Sequence, residues 1–257
     1  MKITHFALAT VAALAAAPAL AAPNWIGTAD YGVETVGPFN TYDLSSAGVL
    51  LLDPQNATDA HGYYQSSVTA HLLNGEGVQS PGLAANNYEL TIVADFSSSR
   101  TSVSAFGETF GVNSGSFALY LDTTPNLNFG TDSGFMDGVK IMEGSISSGG
   151  GSLGYVGNTM QFGGATLDLT VTGYDSSVFS PATIAGGNST FSLRLGAPFD
   201  ATFLSTINSV QGVSTAGNLL YVADGDLILA AVPEPKSLAM LLAGLGMIGA
   251  MSLRRRA

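Results

Sequence analysis

The chain has no cysteine. That excludes disulfides, thiolate metal sites and cysteine nucleophiles, so stability must come from core burial. Cations are nearly as scarce. Lys2, Lys236, Arg254, Arg255 and Arg256 sit at the two ends, leaving only Arg100, Lys140 and Arg194 in the span Ala22–Pro235. All 19 acidic residues lie in that span, against those three cations, for a formal charge of −16. Such a surface repels nucleic-acid phosphates and anionic lipid headgroups. It favours solubility outside the cell and attracts divalent ions or basic partners. Beyond the N-terminal run only two histidines remain, His61 and His71. Their spacing fits no compact metal motif, and His61-Gly62-Tyr63-Tyr64 reads as an exposed His beside tyrosines.

The two ends are the most legible parts. Lys2 begins a short positive region, and Phe6 to Ala17 is apolar. Pro18 then breaks the helix before Ala19-Leu20-Ala21, the small-x-small pattern a signal peptidase accepts. Residues 1–21 are therefore expected to be a cleaved signal-peptide helix. The other end runs Val232-Pro233-Glu234-Pro235-Lys236, then an uncharged stretch from Ser237 to Leu253, then Arg254-Arg255-Arg256. As a helix the uncharged stretch spans about 25 Å, the short end of what crosses a bilayer. The three arginines would stay cytoplasmic, which places the body on the far side. Gly244-Leu245-Gly246-Met247-Ile248-Gly249 matches a dinucleotide-binding pattern only in letters, because no βαβ unit surrounds it.

This order of parts resembles the PEP-CTERM sorting signal of Gram-negative bacteria, carried by Pro233, Glu234 and Pro235, the Ser237–Leu253 helix, and Arg254 to Arg256. The resemblance implies recognition by an exosortase, cutting near the motif, a transient inner-membrane anchor, and a host that makes an exopolysaccharide matrix. The expected division is residues 1–21 as signal peptide, 22–231 as body and 232–257 as sorting signal.

The body is rich in Gly, Ser, Thr, Asn and Asp between short apolar stretches. Thr166 to Thr172 places an apolar residue at every second position, as do Phe191 to Leu195 and, less cleanly, Phe117 to Leu121. Expected strands are 48–52, 88–95, 102–106, 116–122, 138–143, 166–172, 190–195 and 219–232. Turn signals stand at Asn74-Gly75, Asp137-Gly138, Gly149-Gly150-Gly151, Gly186-Gly187-Asn188 and Asp224-Gly225-Asp226. Residues 145–151 and 185–188 read as flexible loops, and 198–208 as the one short helix, with Phe199, Phe203 and Ile207 on one side. Many short strands and few helices argue for a single all-β domain, an antiparallel β-sandwich of jelly-roll type.

The body more loosely resembles PEP-CTERM proteins linked to flocculation, through Leu119 to Pro125, Gly134-Phe135-Met136-Asp137-Gly138, and the strand 139–143. That resemblance implies cell aggregation or matrix retention.

No catalytic constellation stands out. Gly150-Gly151-Ser152-Leu153-Gly154 matches a nucleophile elbow in letters but lacks the helix that should follow it. Glu89, Asp95, Glu108 and Glu143 could supply a glycosidase pair only in the sense that any acidic sandwich could. No cofactor is expected, apart from calcium as an alternative. Asp122, Asn126, Asn128 and Asp132 put oxygen ligands on one loop, without EF-hand order, and the same residues are what turns require. Trp25, Tyr31, Tyr63 and Tyr64 are of the type that stacks on sugars, although aromatics in β-rich chains are usually core. The expected function is structural or adhesive, in flocculation or biofilm, with the exopolysaccharide matrix as partner. Two alternatives are a calcium-assisted carbohydrate-binding module and a secreted polysaccharide hydrolase.

Overall fold

The computed structural model describes residues 23–156, 159–194 and 202–232. The segment Asn24–Val232 is one structural unit. Its strands are β1 (Gly27–Asp30), β2 (Thr35–Phe39), β3 (Thr41–Leu44), β4 (Val49–Pro54), β5 (Asp59–Leu73), β6 (Glu76–Val78), β7 (Glu89–Ser104), β8 (Gly107–Asp122), β9 (Val139–Val156), β10 (Thr159–Tyr174), β11 (Phe179–Ser180), β12 (Ile184–Arg194), β13 (Ser209–Val210), β14 (Val213–Ser214) and β15 (Leu219–Ala231). A single helical turn, α1 (Pro81–Ala84), precedes β7.

Every pairing is antiparallel, and neighbours in space are mostly neighbours in sequence. β5 pairs β7, β7 pairs β8, β8 pairs β9, β9 pairs β10, and β10 pairs β12. β12 pairs β15, and β15 returns to β5 through β3 and β4, which pair both. The sheet therefore closes on itself. Counting β3 and β4 as one interrupted strand, it is an eight-stranded up-and-down barrel. The expected all-β, antiparallel character holds. The jelly-roll connectivity does not, because a meander closed by β12–β15 and β4–β5 contacts has no Greek-key crossing. Closure also removes the open edges that a sandwich must protect.

Alternation explains the wall. On β7 the residues Leu90, Ile92, Ala94 and Phe96 face the core, and on β15 Tyr221, Ala223, Leu227 and Leu229 do so. One contiguous apolar cluster lines the barrel interior and continues under the small sheet β11–β1–β2. Trp25, Phe39, Tyr31 and Phe179 from that segment are all buried. They close the end of the barrel where β5 and β15 finish. Two smaller clusters lie outside the wall, one of Val49, Leu51 and Val222 under Leu204, Ile207 and Val210, the other of Val93 and Ala118 under Phe135.

Three glycine-based turn expectations fail. Gly149 to Gly151 lie inside β9, Gly186 to Asn188 inside β12, and Asp224 to Asp226 inside β15. The loops expected at 145–151 and 185–188 are accordingly strand. Here glycine serves close approach. A Cβ at Gly151 would sit 2.2 Å from the Gly164 carbonyl oxygen and 2.6 Å from the Phe110 ring. The ring covers the bare backbone, and both neighbouring strands supply its hydrogen bonds. Asn74-Gly75 is a true turn, with φ of 53° and 88° between β5 and β6, as a tight hairpin requires. The stretch 102–106 is the end of β7 and a turn, not a separate strand. Of the expected helix at 198–208, residues 202–204 form one helical turn, Phe203 and Ile207 pack in the outer cluster, and Phe199 lies outside the described residues.

Candidate functional site

The outer face of β7–β10 carries a groove of about 270 Å³. Strand alternation turns Asp95, Ser116, Tyr120, Lys140, Glu143 and Thr172 into it. Lys140 Nζ donates to Glu143 Oε2 at 2.7 Å. That bond, then the negative charge itself, raises the Lys140 pKa and keeps the ammonium charged. The Ser116 hydroxyl donates to Asp95 Oδ1, and His61 Nε2 lies 3.6 Å from Asp95 Oδ2. The groove is thus a hydroxyl- and carboxylate-lined surface with one cation.

Similar polar chemistry extends around the wall. Ser97 and Ser114 hydroxyls meet at 3.1 Å, and Thr101 and Thr109 at 2.8 Å. Ser148 and Asn188 both donate to Asp168, at 2.6 and 2.9 Å. These are cross-strand pairs on a solvent face, each joining neighbouring strands.

Sequence reading placed Asp95 and Glu143 among scattered acids, and the fold brings these two to one groove. It separates the other two. Glu89 is buried and accepts the N–H groups of Asn126 and Leu127 at 3.0 and 3.2 Å. Glu108 pairs with Arg100 Nε at 2.7 Å. Ser152 lies mid-strand between Thr109 and Gly164, with no elbow. The groove residues Tyr120, Lys140 and Thr172 were missed. Only the rarity of Lys140 as a body cation could have flagged one of them.

The proposed calcium loop is spread out by its own hydrogen bonds. Asp122 Oδ1 accepts Thr124 N at 2.7 Å, and Asn128 Oδ1 accepts Thr131 N at 3.1 Å. Asn126 Nδ2 donates to Asp137 at 3.0 Å. Asp132 turns away and accepts Gln211 N at 3.1 Å and Gly212 N at 2.7 Å, tying this loop to the β13–β14 hairpin. These residues shape turns and tethers. Among the described residues no group of three or more His, Asp or Glu is disposed to hold a metal.

Three of the four aromatics considered for sugar stacking are core. Trp25, Tyr31 and Tyr64 are buried, and Tyr63 stacks on His61 at 4.6 Å between ring centroids. His71 is wholly buried among Tyr31, Phe39 and Tyr42. Its Nε2 lies 2.7 Å from the Tyr31 hydroxyl. Burial lowers its pKa to about 4 despite the opposing pull of Glu34. Glu34 accepts the Tyr88 hydroxyl at 2.7 Å and the N–H groups of Gly82 and Leu83. Burial pushes the Glu34 carboxyl up, but these donors outweigh it and hold the pKa below its usual value.

The body ends at Val232, whose N–H donates to the Thr183 carbonyl at 2.8 Å. From the last strand residue onward, residues 231–256 match the model of the PEP-CTERM protein-sorting motif. The tail is a PEP-CTERM sorting signal. A PEP-CTERM motif marks an exported, exosortase-targeted protein, processed at the membrane of a Gram-negative bacterium. Pro233, Glu234, Pro235, the expected span Ser237–Leu253 and Arg254 to Arg256 lie outside the described residues, as do Ala19 and Ala21. Among the described residues no helix is long and apolar enough to cross a membrane. No curated protein and no solved structure matches the chain, so the flocculation-linked resemblance of the body has no relative behind it.

Proposed function

We propose that this PEP-CTERM protein is a non-catalytic adhesive component of the cell surface or extracellular matrix, freed from its tail near Pro233–Pro235 and retained by exopolysaccharide. The observation that carries the reading is the outer groove. Asp95, Ser116, Tyr120, Lys140, Glu143 and Thr172 offer acceptors, donors and one aromatic face along a single surface, the mixture that hydrogen-bonds sugar hydroxyls. The polar pairs on neighbouring strands extend the same chemistry. The acidic body adds a second means of cohesion, because divalent ions can bridge one chain to another or to an acidic glycan.

Deleting the gene in the native host should reduce flocculation while leaving the amount of polysaccharide unchanged. A complementing copy with Tyr120→Ala and Lys140→Ala should fail to restore it, and a chelator should weaken the parent's flocs. A deletion strain that flocculates like the parent sinks the proposal. One that accumulates undegraded polysaccharide reopens the hydrolase reading. Intact mass of the protein from a host with a working exosortase should lack everything from about Ser237 onward, and Glu234→Ala should leave the tail in place.

A further inference from the structure

The barrel end opposite the aromatic lid is not filled. A cavity of about 100 Å³ opens there, walled by Leu50, Leu52, Phe96, Phe110, Leu153 and Leu167. An eight-stranded barrel is the size at which side chains just fill the interior or leave room for one small ligand. An apolar cavity of this order stays dry and takes up small apolar molecules. We propose that this end of the barrel binds a neutral, single-chain amphiphile, with its hydrocarbon tail in the cavity and its head at the Arg100–Glu108 rim. The proposal is independent of the adhesive reading and uses none of the groove residues.

The wall argues for the tail. Leucines and phenylalanines dominate it beside the Tyr64 ring, and the polar side chains Ser98, Asp59, Arg100 and Glu108 that also line it are already hydrogen-bonded or ion-paired within the protein. The surface around the mouth points the same way. Phe106 and Val103 at the β7–β8 tip are 82% and 62% exposed, Val156 and Phe162 on the adjoining β9–β10 hairpin 69% and 65%, and Leu219 48%. The two hairpins are neighbours, since Tyr155 N donates to the Phe106 carbonyl at 2.9 Å. Leu219 itself lines the cavity, and exposed large apolar side chains clustered at that end of the barrel mark a binding site more than a solvent face.

The rim argues for neutrality. Arg100 is held by Glu108 at 2.7 Å and by the Ala57 carbonyl at 2.9 Å, so its charge is answered within the protein. Asp59 accepts Ser99 Oγ and Asn56 Nδ2, each at 2.8 Å. The Asn56 bond, followed by that of Ser99, holds its carboxyl below the usual range, so it stays anionic. An anionic head would face that carboxylate, whereas a hydroxyl or ester would not be repelled.

The test uses the processed protein purified from its native host, a neutral fluorophore (N-phenyl-1-naphthylamine) and straight-chain 1-alkanols as competitors. One saturable dye site per chain is expected. Each added methylene should strengthen competition about fourfold until the cavity is full, after which affinity levels off. The fatty acid of equal length should compete less well than the alkanol at neutral pH. Ala165→Phe, which places a ring into the cavity wall, should abolish dye binding. Leu219→Glu sits at the exposed rim and leaves the core untouched, so it keeps the test decisive if the first variant folds poorly. It should weaken binding on the order of tenfold. Absence of saturable binding overturns the proposal, as does binding that both substitutions leave unchanged. Protein that floats with phosphatidylcholine vesicles yet binds no free alkanol would make the rim a membrane-seating surface and also overturn it.

Discussion

At one end of the barrel the small sheet β11–β1–β2 and its flanking residues fold over the strands and pack Trp25, Tyr31, Phe39 and Phe179 onto the interior. At the other, the same strands run out into hairpin tips around a leucine-lined cavity. The sealed end contains His71, the one buried histidine among the described residues, whose Nε2 lies 2.7 Å from the Tyr31 hydroxyl, itself 3.1 Å from that of Tyr42. The open end keeps its charges at the rim. The strands define a tube, while the segments outside them decide which end is sealed and which stays open. Stability should therefore be concentrated at the lid.

Truncating the lid should give the largest effect. Phe39 makes edge contacts with Trp25 at 5.5 Å and Tyr42 at 5.0 Å. Phe39→Ala should cost about 3–5 kcal/mol in denaturant melts. Leu52→Ala, half-buried at the cavity wall, should cost about 1–2 kcal/mol, since the space it leaves adjoins one already empty. Equal losses would break the contrast between the ends.

The pH response should also come from the lid. His71 is neutral in the fold, with a pKa of about 4 against 6.5 when unfolded. Below 6.5 the unfolded chain binds a proton that the fold refuses. The stabilisation is complete above pH 6.5 and is lost as pH falls towards 4, by roughly 3 kcal/mol. Glu34 has a lowered pKa, so its contribution is present above its ordinary carboxylate pKa and is lost below that. His71→Phe should flatten the melting temperature between pH 6.5 and 4 and leave the Glu34 loss at lower pH. A variant with the parent's slope would show that the titration lies elsewhere.

Within the open half, glycine positions should differ. Gly151→Ala meets the Gly164 carbonyl at 2.2 Å and should cost about 1–3 kcal/mol. Gly111→Ala meets only Thr101 Cγ2, at 3.7 Å, and should be neutral or stabilising by about 0.5 kcal/mol. The smallest expected difference is between calcium and chelator. Asp132→Ala removes the acceptor of two N–H groups and should cost about 1–2 kcal/mol equally in calcium and in chelator. A loss seen only with calcium present would make the loop an ion site.

Much was readable from the chain alone. The tail was legible because a sorting signal works as a linear string, with motif, apolar stretch and basic cluster in order. The β character was legible because alternation is local, as in Thr166 to Thr172, and Asn74-Gly75 declared its turn because its φ values demand such residues. Absent cysteine and scarce cations determined that no disulfide or thiolate could act and that the body is strongly acidic. Closure was not legible, because whether β12 meets β15 depends on long-range pairing, from Ile184 with Ala231 at one end to Arg194 with Val222 at the other. Glycine misled for the same reason. Gly149 to Gly151 carry no side chain to reveal that Phe110 lies over them, and a local reading sees only flexibility. Tertiary structure alone decided that Asp95 and Glu143 share a groove while Glu89 and Glu108 do not. It alone placed His71 in the core and His61 on the surface, and left one end of the barrel open, because burial is a property of what the rest of the chain packs against a residue.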